Sequence, residues 1–256
     1  MYQEQQKPTV LFVHGSWHQP SHFARVRKVL EDADFPTSCP LQPSIGSLPP
    51  IGLMEDAQCI RDELKGLIED ESKDVIVVAH SYGGLVTTQA VDEAFGKKQR
   101  EERGQNGGVV QLHFMCAFML SINTSLADTF DGNLPPWIVM QDDGMCEPQN
   151  PGDVFYHDLQ GANREAAIAS LGKSPTITHF TALTHLAYLY HPVTYLYCTE
   201  DKALPFVVQR MIVDNGSRQY GVKFGEENCG ASHSRFLSMP DKVLEVVQHV
   251  IRRRYE

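Results

Sequence analysis

Apolar residues in this chain follow two alternating rhythms, short unbroken runs and longer stretches with a spacing of three to four. The runs Thr9–Val13, Pro36–Cys39, Asp74–Ala79, Val109–Met115, Val193–Cys198 and Gln219–Phe224 read as strands. Val75 to Ala79 has no polar interruption, as expected of a strand covered on both faces of a parallel sheet. Helical spacing predicts helices at about 21–33, 53–71, 82–96 and 205–214, with a last one at 240–253. The 53–71 segment is the clearest, with Leu53, Ala57, Ile60, Leu64, Leu67 and Ile68 on one stripe and acids and lysines opposite. Strands alternating with helices predict an α/β architecture, an about six-stranded, mostly parallel, doubly wound sheet with right-handed crossovers. The charged, glycine-containing stretch 97–108 is expected to be a solvated loop.

One interval breaks the alternation. From Leu120 to His191 there is no strand-like run, and Pro, Asn, Asp and aromatic residues accumulate, as in Leu134-Pro-Pro-Trp137 and Asp153-Val-Phe-Tyr-His-Asp158. Helical pieces are expected at 163–171 and 177–190. The interval is too long for an ordinary connection between core strands. It reads as an inserted, mainly helical cap over 120–191, with 1–119 and 192–256 forming the core. Ligands of open α/β sheets bind at the carboxyl ends of the strands, the edge such a cap would cover.

Composition narrows the partners. At 256 residues the chain suits one large domain, which needs neither a metal nor a disulfide to hold its core. A formal charge of −10 without a basic stripe argues against nucleic acid or an anionic membrane surface as partner. Cys39, Cys59, Cys116, Cys146, Cys198 and Cys229 form no CxxC pair, and Cys116 and Cys198 fall in apolar runs, so buried free thiols are expected. Residues 1–7 are polar and lack an apolar signal core. The longest apolar run, Phe114–Leu120, is far short of the ~20 residues of a membrane span. A soluble, cytoplasmic protein acting on a small molecule is the expectation, with a homodimer left open.

The candidate chemistry begins where the Val75–Ala79 run stops. Ser81, in Ala79-His-Ser-Tyr-Gly-Gly84, stands between that strand and a helix that starts at once. So sharp a reversal forces the serine into a sparsely allowed conformation, the setting of a nucleophile elbow. A nucleophilic serine needs a base, and the base needs an orienting acid. After the strand ending at Cys198 come Glu200 and Asp201; the shorter Asp201, followed by a turn and Pro205, is the better candidate acid. His233 lies in the small-residue loop Cys229-Gly-Ala-Ser-His, ahead of the last helix, where a base would enter. Of the ten other histidines, His113 interrupts a core strand, His185 and His191 fall in the cap, and His249 is on the last helix. His14, His18 and His22 are spaced by four, but His14 ends a strand and Pro20 breaks the helical register, so they are not expected to share a metal. The turn His14-Gly15-Ser16-Trp17 after the first strand can aim an amide at the space above Ser81. The N–H groups of Ser16 and Tyr82 are the candidate oxyanion hole. Gly15, Trp17, Trp137 and Tyr156 are the candidate substrate contacts, and Phe155 and Tyr188 stand with them, although each cap aromatic serves equally well as cap–core packing.

His14-Gly-Ser-Trp17, Ala79-His-Ser-Tyr-Gly-Gly84, Cys198-Thr-Glu-Asp-Lys-Ala-Leu-Pro205 and Ala231-Ser-His-Ser-Arg-Phe-Leu-Ser238 resemble the methylesterase/hydroxynitrile-lyase branch of the α/β-hydrolase superfamily, above all its microbial hydrolases. The likeness runs nearly end to end. It implies Ser81, Asp201 and His233 as a catalytic triad, Ser16 and Tyr82 as oxyanion donors, and no metal or organic cofactor. Three positions depart, one of them Ala79 in place of the elbow's first glycine, an exchange the fold often accepts. Cyanohydrin-cleaving members carry threonine where Gly15 stands and lysine where Ser234 stands, so cyanohydrin cleavage is not expected. The expected activity is hydrolysis of a carboxylic ester, lactone or thioester of a small molecule through an acyl-enzyme. Lyase, cyclase or retro-aldol chemistry on the same triad is the alternative, and an inactive ligand receptor a more distant one.

Overall fold

In this computed structural model residues 7–255 are described, with side chains as far as Arg252. Residues 1–6, most of the segment behind the signal-sequence expectation, lie outside the described residues. The apolar runs become strands. β1 (Thr9–Val13), β2 (Thr37–Ser38), β3 (Asp74–His80) and β4 (Gly108–Met115) precede the cap interval; β5 (Ile138–Met140), β6 (Met145–Pro148) and β7 (Ser174–Pro175) lie within it; β8 (Val193–Cys198) and β9 (Phe224–Cys229) follow. The main sheet has six strands in the order β2-β1-β3-β4-β8-β9, and every pair is parallel.

Central β3 shows why its sequence has no polar break. Val75, Val77 and Ala79 point into one core layer and Ile76 and Val78 into the other. Burying each of the larger side chains stabilises the fold by about 1.5–3 kcal/mol. The first layer is covered by α2 (Leu53–Lys65), whose stripe Leu53, Ala57, Ile60 and Leu64 is buried, and by α3 (Gly83–Ala90), all of whose residues are buried. The second is covered by α1 (Ala24–Glu31), through Val26 and Leu30, and by α10 (Pro240–Tyr255), which follows the short α9 (Arg235–Ser238), through Val243, Val246 and Val247. The carboxyl ends of β1, β3, β8 and β9 share one edge, which gathers the turns after all four.

Several expectations are corrected. The last strand is not 219–224 but Phe224–Cys229. α8 (Phe206–Tyr220) consumes Gln219 and Tyr220 and ends on Gly221, whose φ of +69° suits a left-handed cap. The 82–96 helix stops at Ala90 because Val91 turns extended; the Val91 and Asp92 carbonyls instead accept from His185 Nε2 and His191 Nε2. The 97–108 stretch is not all loop. It contains α4 (Lys97–Glu102), with Arg100 buried and donating to the Asn106 and Gly107 carbonyls. The 120–191 interval does hold strands, since β5, β6 and β7 form an antiparallel sheet beside α5 (Pro151–Val154), α6 (Gly161–Ala169) and α7 (Ile177–Phe180). The helix expected over 177–190 is α7 and a 3-10 turn at Ala187–Leu189, with irregular chain between them. Among the described residues, no helix is long and apolar enough to cross a membrane.

Candidate active site

Ser81 follows β3 directly with φ of +54°, a left-handed conformation costing a non-glycine residue about 1–3 kcal/mol. Its carbonyl accepts from Gly84 N at 2.9 Å and Phe118 N at 3.1 Å, so the turn is fixed from two elements. The reversal also demands close approach. A Cβ on Gly83 would collide with the Val13 carbonyl and one on Gly84 with the Phe118 carbonyl. Gly15 passes so near that its Cβ would lie 2.8 Å from Ser81 Cβ.

The turn after β8 delivers Asp201. Its Oδ1 accepts from the amides of Ala203 and Leu204 at 2.8 and 2.9 Å, and its Oδ2 accepts from His233 Nδ1 at 2.7 Å. Neighbouring Glu200 is exposed and engaged through its backbone, whose oxygen meets His157 and whose N–H donates to the Ala231 carbonyl. Three donors hold the buried Asp201 carboxylate as an acceptor, and it in turn fixes which His233 nitrogen bears hydrogen. His233 Nε2 remains the open ring nitrogen. His233 and Ser81 line one cavity with Ser16, Trp17, Phe118, Leu126, Pro135, Trp137, Ile138 and others, with about 310 Å³ of empty volume. A wider cleft of about 1300 Å³ sits at the other end of the sheet, among Lys97, Lys98, Tyr190 and Pro192. It holds no nucleophile–base pair, so size is no guide here.

The loop bearing His233 is anchored from below. His80 Nε2 donates to the His233 carbonyl at 3.0 Å, and Cys116 Sγ reaches the same oxygen at 3.3 Å. Burial, with His233 beside it, holds the His80 pKa well below its usual value, so this ring is neutral. The side chains of His80, Cys116 and His233 lie close enough to share an ion. The carbonyl they surround and the Asp201 bond already account for their positions.

The turn after β1 is pinned as tightly. Gln42 N donates to His14 Nε2 at 3.1 Å and Gln42 Nε2 to the His14 carbonyl at 2.6 Å. His18 Nδ1 donates to the Ser16 carbonyl at 3.0 Å, and Tyr156 Oη donates to His18 Nε2 at 3.0 Å. Trp17 Nε1 donates to the Cys146 carbonyl at 2.8 Å. His14, His18 and His22 thus each spend their ring nitrogens on protein groups. Burial lowers the His14 pKa to about 4 and that of His18 well below its usual value. Among the described residues neither the Ser16 amide nor the Tyr82 amide donates to another protein group. Tyr82 opens α3, and its hydroxyl donates to buried Asp56 at 2.9 Å, whose other oxygen accepts from Ser44 N at 2.8 Å. Desolvation raises the Asp56 pKa.

The structure therefore brings Ser81, His233, Ser16, Trp17 and Trp137 to one cavity, with Asp201 behind the histidine and Gly15 against the serine. Tyr156 is not among the lining residues. It is fully buried, facing His18 with its hydroxyl and packing against Phe155. Phe155 stacks on Trp17 with centroids 5.9 Å apart. Tyr188 donates to the Leu120 carbonyl and also lies outside the cavity. The residue that sequence reasoning missed is His179, in α7, which lines the cavity and bonds Ser16 Oγ. No local pattern marks it out, since only the folding of the cap carries it there.

A six-stranded parallel sheet, a serine on a left-handed strand-to-helix turn and a histidine–aspartate pair on the loops after the last two strands compose an alpha/beta hydrolase fold. The chain belongs to the alpha/beta hydrolase family, whose model matches residues 10–246. It is 29% identical over 248 residues to the alpha/beta hydrolase nvfD of Aspergillus novofumigatus, covering 95% of this chain and 96% of that protein. Among solved structures it is similar to polyneuridine aldehyde esterase, with a TM-score of 0.75 at 17% identity over 96% of this chain and 99% of that one. It is similar also to the methylesterase MES16 from Arabidopsis, with a TM-score of 0.71 at 18% identity over the same shares.

Proposed function

We propose that this protein is a serine esterase that cleaves a carboxylic ester, lactone or thioester of a small organic molecule. The observation that carries the reading is the 2.7 Å bond from His233 Nδ1 to Asp201 in the cavity that also exposes Ser81 on its strained turn. Ser81 Oγ attacks the carbonyl carbon while His233 Nε2 takes its proton. Asp201 holds the imidazole tautomer and stabilises the imidazolium that forms. The oxyanion is received by the amides of Ser16 and Tyr82, and the positive end of α3 adds to the field there. The imidazolium gives its proton to the departing alkoxide or thiolate as the carbonyl carbon's bond to it breaks. Water, deprotonated by the same nitrogen, then attacks the acyl-enzyme, and the imidazolium gives that proton back to Ser81 Oγ as the acid is released.

The names of the structural relatives, an aldehyde esterase and a methylesterase, support ester chemistry. Gly15 supports it from the other side. A threonine there would thrust its Cβ against Ser81, and Ser234 offers no cation to receive cyanide, so cyanohydrin cleavage is disfavoured. All six cysteines are free and four are buried, which suits a reducing, cytoplasmic setting. The test is labelling with a fluorophosphonate and mass mapping of the adduct. The adduct is expected on the Ser81 peptide, and Ser81→Ala is expected to lose labelling and roughly 10⁴-fold or more of aryl ester turnover. Undiminished turnover in that variant would remove the mechanism.

A further inference from the structure

The cavity holds a hydroxyl–imidazole contact that the proposed mechanism leaves unused. Ser16 Oγ lies 3.2 Å from His179 Nε2, and both residues line the space beside Ser81 and His233. The far side of the ring tells which atom carries the proton. His179 Nδ1 meets Thr178 Oγ1 at 3.1 Å and Cys146 Sγ at 3.7 Å. The Thr178 hydroxyl already donates to the Pro175 carbonyl at 2.7 Å, and the Cys146 thiol to the Ser174 carbonyl at 3.3 Å. Each therefore turns only lone pairs to the ring, which assigns the hydrogen to Nδ1 and leaves Nε2 a bare acceptor. Burial lowers the His179 pKa to about 4, so the ring is neutral near pH 7. The Ser16 hydroxyl consequently spends its only hydrogen on His179. What it retains is a lone pair, on the residue whose amide faces the reacting carbonyl.

We propose that Ser16 Oγ, oriented by His179, is an acceptor subsite recognising a hydroxyl on the acyl chain within two carbons of the scissile carbonyl. The proposal rests on the esterase reading and names a substrate class within it, short hydroxyacyl esters. Trp17, Trp137, Phe118 and Ile138 line the rest of the cavity and suit an apolar remainder. A site built around a buried acceptor discriminates sharply, because an analogue without the donor leaves that acceptor unpaired. His179 also stacks on Trp17, with centroids 5.4 Å apart, so a merely structural role has to be separated from an orienting one.

The experiment compares kcat/KM for benzyl butanoate, its 2-hydroxy and 3-hydroxy derivatives in both configurations, and the matching methoxy ethers, which keep the oxygen and lose the donor. Protection of Ser81 against fluorophosphonate labelling by the same compounds gives a second readout. The wild-type protein is expected to favour at least one hydroxyacyl ester about tenfold or more over both its unsubstituted and its methoxy counterparts. His179→Phe frees the Ser16 hydroxyl to donate, and is expected to bring the hydroxy-to-methoxy ratio to within about threefold. His179→Gln places an acceptor oxygen where Nε2 was and is expected to restore most of the preference. A purely structural His179 would lower all the esters together and leave the ratios alone. Equal kcat/KM across the series in the wild type, ratios unmoved by His179→Phe, or no turnover and no protection by any of the esters would overturn the subsite. Failure of the wild type to label at Ser81 would strike the esterase reading instead.

Discussion

Acidification should unfold this protein well above the pH at which its carboxylates titrate. His14, His179 and His191 are held by burial at pKa values of about 4, and His113 at about 3, against 6.5 for an exposed imidazole. Their folded-state pKa values lie below the unfolded ones, so the unfolded chain binds more protons and stability falls as pH drops through 6.5. At pH 5 each group costs about 2 kcal/mol, and these histidines together about 8 kcal/mol. His18 and His80 are shifted in the same direction. Asp56 opposes them, because its raised folded pKa favours the native state as it takes up a proton at low pH, but it is one group. The total rivals the whole stability of a typical domain, about 5–15 kcal/mol. Urea unfolding between pH 7.5 and 5, followed by the fluorescence of Trp17 and Trp137 at the cap–core joint, should show the loss. The slope at pH 5.5 should reach about 5 kcal/mol per pH unit, equivalent to uptake of about 3.5 protons on unfolding. A loss under about 2 kcal/mol over the whole range would refute the reasoning, because it would mean these rings are protonated or reach solvent in the native state.

Asp201→Asn should lower kcat by about 10⁴-fold with little change in melting temperature, since the amide keeps the shape but stabilises the wrong His233 tautomer; ester kinetics beside calorimetry would check it. Gly15→Ala should cost roughly 10²-fold or more in kcat, because the new methyl must displace Ser81 Cβ from 2.8 Å, and circular dichroism should show an intact fold. Arg235 is fully buried and none of its guanidinium nitrogens has a partner among the described residues, so Arg235→Met should stabilise by about 1–3 kcal/mol in urea, and a destabilised variant would show that the charge is compensated.

What the sequence disclosed was whatever local pattern encodes. β3 and the elbow were legible because a strand buried on both faces has no polar residues and because Ser81 sits at its abrupt end. Asp201 and His233 followed from chain order, each on the loop after a later strand. β9 was hidden because it is an edge strand whose Glu226, Glu227 and Asn228 face partly outward, so no apolar run announces it. α4 was hidden by the reverse effect, charges on nearly every position of a helix that buries Arg100. The cap hairpin had a signal that went unread, the Asp143-Gly144 pair between β5 and β6, with Gly144 at φ of +80°. The end of the helix at Ala90 had none, because the groups that capture the Val91 and Asp92 carbonyls, His185 and His191, lie some ninety residues downstream.

The same division separates the proposed reacting groups from those that support them. Ser81, Asp201 and His233 each follow a strand end, and strand ends are written locally. Most of their supports are not: His80 beneath the His233 carbonyl, Asp56 on the Tyr82 hydroxyl and His179 on the Ser16 hydroxyl meet the site across distant elements, whereas His18 shares a turn with the Ser16 carbonyl it holds. The three histidines among them are buried with lowered pKa values, so they supply directed hydrogen bonds without adding positive charge near His233, where the proposed mechanism forms an imidazolium. Lysine or arginine in those places would raise the energy of that imidazolium, by about 4 kcal/mol for a charge at 4 Å in a medium of effective dielectric 20. Neutral rings avoid that cost while keeping the geometry stiff. Part of the acid lability argued above is therefore the counterpart of the proposed catalytic arrangement, since the desolvation that keeps His18, His80 and His179 neutral at pH 7 is what proton uptake on unfolding relieves.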